Sequence, residues 1–111
     1  MKNLVVINEQ HKLLPQQQEL LTELYGEDGW ERFNIPFEGV TAGEMETWIP
    51  FLVENNPIFA SPIPLLIGLV AEKKHGLGFA VLYNDHREKK ELPNGKIIMT
   101  VAQTGWQLKQ F

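Results

Sequence analysis

Leu4-Val-Val-Ile-Asn8 decides how the rest of this chain is read. A short, unbroken apolar run that stops at an asparagine is the pattern of a strand buried on both faces, as in a parallel sheet covered by helices. The residues after it follow the alternation such a sheet requires. Pro15 suits a first helical position, Leu13, Leu20, Leu21 and Leu24 recur at helical spacing, Gln16 to Glu19 are expected to face water, and Gly26 ends the helix. Trp30 to Pro36 reads as a second strand near a sheet edge, with Phe33 and Ile35 on one face and Arg32 and Asn34 on the other.

Thr41-Ala-Gly-Glu44 is a capping box, and Met45, Trp48, Ile49, Leu52 and Val53 form the helical stripe behind it. Pro50 lies inside that stripe and predicts a kink or a break. Pro57 to Ala60 is a third strand. Ser61-Pro62-Ile63-Pro64 turns it into a third helix, apolar nearly all round and therefore expected to be covered on both sides. Phe79 to Tyr83 is a fourth strand, and Asn94-Gly95 is the strongest two-residue hairpin signal, because both positions can take positive φ. Ile97 to Val101 continues as a strand, and Gly105 to Leu108 extends it or forms a last short one. The order predicts an α/β fold. It is a Rossmann-like three-layer sandwich with a mostly parallel sheet and a C-terminal antiparallel β-hairpin.

At 111 residues, the chain has room for one domain, residues 1–111. Hydrophobic residues make up 43% and charged ones 22%, an ordinary globular balance. The chain has no cysteine, so thiol catalysis, thiolate metal sites and disulfides are excluded, and a reducing compartment fits. A net charge of −4 argues against duplex nucleic acid, which needs a basic footprint. The N-terminal apolar run is too short for a signal peptide, and Pro57 to Ala71 is broken by three prolines and a glycine. A cytosolic protein without a membrane partner is expected.

In an open α/β sheet, ligands sit beyond the carboxyl ends of the strands. Asn8, Ser61 and Asn84 end the first, third and fourth strands and should share one rim. His11 follows Asn8 and is a candidate acid or base; a solvated loop histidine is the plainer reading. Ser61 and the amides of Ile63, Leu65 and Leu66 are candidates for an anion, or Ser61 simply caps its own helix. Asn84-Asp-His-Arg-Glu-Lys-Lys90 is a solvated connector or an anion-selecting edge, with Arg87 its candidate charge and Asp85 able to reach His11 or Arg87. His75 is explained by the helix end it occupies, and Gln103 and Thr104 by structural use. No residue spacing indicates a metal or a cofactor, and there is neither a Gly-x-Gly-x-x-Gly nor a Walker loop.

Leu4-Val-Val-Ile-Asn8 with its His11 loop and Gln-rich helix start, together with Ser61-Pro-Ile-Pro64, resembles small CRISPR-associated Rossmann-like proteins related to the CARF (cyclic-oligoadenylate-sensing) group. The resemblance implies a homodimer that binds a cyclic or linear oligoadenylate in a cleft across its two-fold axis, with or without metal-independent cleavage of the ring. It carries over to Asn8 and His11 and to the Ser61 turn. The acidic net charge and the connector after Asn84 depart from the family pattern. The alternative is a non-catalytic interaction module that uses the apolar third helix and exposed Trp30, Trp48 and Trp106.

Overall fold

The computed structural model describes residues 1–84, 88–100 and 105–111. Its elements are β1 (Asn3–Asn8), α1 (Pro15–Tyr25), β2 (Glu31–Ile35), α2 (Ala42–Val53), β3 (Asn56–Phe59), α3 (Pro64–Lys73), β4 (Ala80–Asn84), β5 (Glu88–Glu91), β6 (Ile97–Thr100) and β7 (Trp106–Gln110). Five strands form one sheet in the order β2-β1-β3-β4-β7, parallel except for β7, while β5 and β6 make a separate antiparallel pair. This is the expected Rossmann-like sandwich.

The central strands are buried on both faces because their alternate side chains feed two different cores. Leu4, Val6, Ile35 and Phe59 pack with Met45, Ile49 and Leu52 of α2 and Leu66 and Val70 of α3. Val5, Ile7 and Ile58 pack on the other side with Leu13 and Leu21 around α1. Strand order reverses between β1 and β3, since the chain leaves β1 toward β2 on one side and returns through β3 to build the other. The carboxyl ends of β1, β2, β3 and β4 therefore share one rim.

Several local expectations are corrected. Gln16 and Gln17 do not face water. The Gln17 carboxamide oxygen accepts the Leu14 amide at 2.9 Å, and that of Gln16 accepts the Trp106 amide at 2.8 Å, tying α1 to β7. Helix α2 runs through Pro50 without a break, so packing outweighs the one missing donor. Thr41 caps that helix as predicted and accepts the Glu44 amide at 3.1 Å, but the Glu44 carboxylate answers the Thr41 hydroxyl and not its amide.

Helix α3 is less covered than its composition suggests: Leu66 and Val70 are buried, whereas Leu65 is exposed. The hairpin loop is also longer than two residues. Gly95 alone takes positive φ (82°), and the Leu92 amide bonds to the Lys96 carbonyl at 2.7 Å around Pro93-Asn94-Gly95.

Tyr25 closes the amino-terminal end of the sheet, its hydroxyl 3.3 Å from the Gln110 carboxamide oxygen. Burial pushes its phenol above the usual 10.0, partly offset by a hydrogen bond with Asn56. Above pH 10 the folded state then holds a proton that the unfolded chain has released. The stability tied to Tyr25 is thus complete below pH 10 and is lost as pH climbs through the raised value. Urea midpoints at pH 9 and pH 11 should accordingly lie closer together in Tyr25→Phe than in the parent protein.

Candidate functional site

The site grows from a mismatch in the sheet. Near the end of β3 the Val6 carbonyl accepts two amides, Ala60 at 2.9 Å and Ser61 at 3.2 Å, as the chain turns toward α3. The Asn8 amide is met by a side chain, bonding to the Ser61 hydroxyl oxygen at 2.9 Å. Ser61 is 6% exposed and is not the helix cap; that position belongs to Ile63, which makes no side-chain capping bond. The Ser61 hydroxyl instead bridges the point where β1 and β3 diverge.

The loop after β1 is equally determined. The Asn8 carboxamide oxygen accepts the Gln10 amide at 3.0 Å and its carbonyl accepts the His11 amide at 2.9 Å, folding 8–11 into a tight turn. Arg32 donates through Nη2 to the His11 carbonyl at 3.0 Å and through Nε to the Asn34 carboxamide at 3.0 Å. Glu9 reaches the other way and accepts the Phe37 amide at 3.1 Å, fixing the β2–α2 loop. The imidazole of His11 is exposed, and no protein partner engages it among the described residues.

These bonds frame a groove of about 330 Å³ at the carboxyl end of the sheet. Asn8, His11 and Ser61 supply its polar groups, and Phe37, Val40, Met45 and Ile63 are among its apolar walls. Three of the residues singled out in the sequence therefore meet across 53 residues of chain. Asn84 ends β4 on the same rim but does not line the groove. Asp85, His86, Arg87, Gln103 and Thr104 lie outside the described residues.

Glu9, Arg32 and Phe37 carry no site signal in the sequence. Arg32 and Asn34 do fall on the opposite strand face from Phe33 and Ile35, but nothing local shows that Arg32 reaches back to the His11 loop. The tryptophans, by contrast, are not exposed platforms. Trp48 packs against the α2–α3 core and Trp30 and Trp106 against the α1 core, all half-buried.

Chemically, the groove offers an imidazole, a hydroxyl and a carboxamide against apolar walls, a mixture suited to a small ligand with both polar and flat apolar parts. Among the described residues no cluster of His, Asp or Glu could hold a metal ion, and no helix is long and apolar enough to cross a membrane. No protein-family model matches the chain, and no curated protein or solved structure is significantly similar to it.

Proposed function

We propose that this is a cytosolic CRISPR-associated protein that binds a cyclic oligoadenylate, or a related phosphate-containing nucleotide, at the carboxyl rim of its sheet. The observation that carries this reading is the convergence of Asn8, His11 and Ser61 on one groove at the β1/β3 switch point. Open α/β sheets bind nucleotides at that place. The Ser61 hydroxyl accepts from the Asn8 amide and keeps its proton for a ligand oxygen, while the Asn8 side-chain NH2 is a second donor. Asn84 and Arg87, further along the chain, contribute to the same ligand in this reading.

Ligand pockets usually measure roughly 300–1,000 Å³, and this groove sits at the lower bound. It takes one nucleotide unit, so a ring of several is shared between two copies in a homodimer. If the ring is cut, the ribose 2′-oxygen forms a bond to its own phosphorus and the P–O5′ bond breaks. The 2′-hydroxyl proton is given up and the departing 5′-oxygen gains one. His11 is the imidazole that moves these protons, and alignment with charge stabilisation does the rest.

Thermal unfolding with cyclic tri-, tetra- and hexa-adenylate, ATP and inorganic phosphate tests the reading. At a hundredfold excess over Kd, a ligand specific for the folded state adds about 2.7 kcal/mol, or roughly 10 °C for a domain of this size. One of the cyclic adenylates should give such a shift, and His11→Ala should lose any cleavage while the unliganded protein melts as before. No shift with any adenylate removes the proposal.

A further inference from the structure

The β5–β6 hairpin is a sheet of its own. Among the described residues its strands pair with each other and with no strand of the main sheet, and Lys89, Glu91, Ile97 and Ile98 are exposed. The radius of gyration is 15.3 Å, against about 13 Å for a compact chain of this length, and the long dimension is 48 Å. An isolated two-stranded hairpin is marginally stable at best; three or more strands with an apolar face are needed. Yet β6 carries Ile97 and Ile98, 65% and 40% exposed.

The two edges of this hairpin differ. The β5 sequence is Glu88-Lys-Lys-Glu91, the charged composition that keeps strand edges from pairing. The β6 sequence, Ile97-Ile-Met-Thr100, contains no charge and no proline to block pairing, and among the described strands only β5 pairs with it. We propose that β6 is the self-association edge of this protein, pairing antiparallel with β6 of a second copy about a two-fold axis to make a four-stranded β5-β6-β6′-β5′ sheet.

A second copy is the occupant that this edge fits. Antiparallel pairing of one strand with itself is self-complementary under a two-fold axis, and an uncharged strand meets no like charge there. The product exceeds the three-strand threshold and ends in two charged edges, which stops it growing into a fibre. The proposal deepens the two-copy part of the functional reading and locates its interface. A four-residue edge is small, in the class of weak interfaces below about 1,200 Å².

Sedimentation velocity from about 1 to 500 μM, in the absence of nucleotide, tests it. The parent protein should pass from monomer to dimer within that range, and amide exchange at 97–98 should slow as concentration rises. The double variant Ile97→Lys/Ile98→Lys should associate at least tenfold more weakly while its thermal unfolding at low concentration stays that of the parent. Leu24→Lys, which alters an exposed apolar residue on α1, should dimerise like the parent. A double variant that dimerises as the parent does overturns the edge and leaves the two-copy reading standing. A parent protein that stays monomeric throughout overturns both, and adenylate binding, read by thermal shift, is scored separately.

Discussion

Phe59→Ala should cost about 3–5 kcal/mol of stability, the largest loss expected from any single side chain in this protein. Phe59 is 1% exposed on β3, the third of five strands, where it faces the α2–α3 layer between Leu4, Val6, Leu52 and Leu66. Its ring meets Phe79 edge-on at 6.4 Å, and Phe79 stacks on Phe111 at 4.8 Å. Removing it leaves a cavity that no neighbouring strand can close without breaking the ladder on both sides. It also takes away the first ring of a chain of three that ties β3 to Phe111. Net stabilities are commonly about 5–15 kcal/mol, so the variant should be unfolded or nearly so at 37 °C. Urea unfolding followed by tryptophan fluorescence measures this; a loss under 1 kcal/mol would mean that the layer is not packed as described.

What could be read from the sequence was whatever depends on period and on near neighbours. The unbroken run Leu4–Ile7 announced a strand buried on both faces, and its burial is complete. Pro15 and Gly26 bounded α1, and Thr41 bounded α2, because caps act over three or four residues. The rim holding Asn8 and Ser61 followed from strand direction alone. The roles that were not legible involve partners far along the chain.

Ser61 looked like a cap because a serine before a helix usually is one. Its actual partner is the Asn8 amide, 53 residues earlier, and only the divergence of β1 from β3 creates that need. Gln17 lies in a polar run that periodicity alone turns toward solvent, yet it reaches back to the start of its own helix. Arg32 looked like an edge-strand charge until the His11 carbonyl arrived beside it. Side chains that close backbone mismatches cannot be found by periodicity, since the mismatch exists only after the chain has folded.

That dependence makes Ser61→Ala the sharper probe of the site. Alanine keeps the volume nearly unchanged and removes the oxygen that accepts the Asn8 amide in a position 6% exposed. β3 ends at Phe59, so the Ser61 hydroxyl, and not a β3 carbonyl, is the acceptor of the Asn8 amide. A buried donor left without its acceptor costs about 1–3 kcal/mol, so the melting temperature should fall by roughly 5–20 °C. Asn8→Ala removes a different bond, the one from the Gln10 amide, and leaves the backbone link to Ser61 in place. Because that bond is exposed to solvent, it should cost less, about 0.5–1.5 kcal/mol.

The two variants therefore separate in stability and converge in function, since each removes a donor from the same groove and should abolish the thermal shift given by cyclic adenylate. A Ser61→Ala protein as stable as the parent would show that the hydroxyl does not hold the β1–β3 junction. A variant that melts lower yet keeps its full adenylate shift would move the ligand elsewhere, because the hydroxyl would then serve the sheet alone.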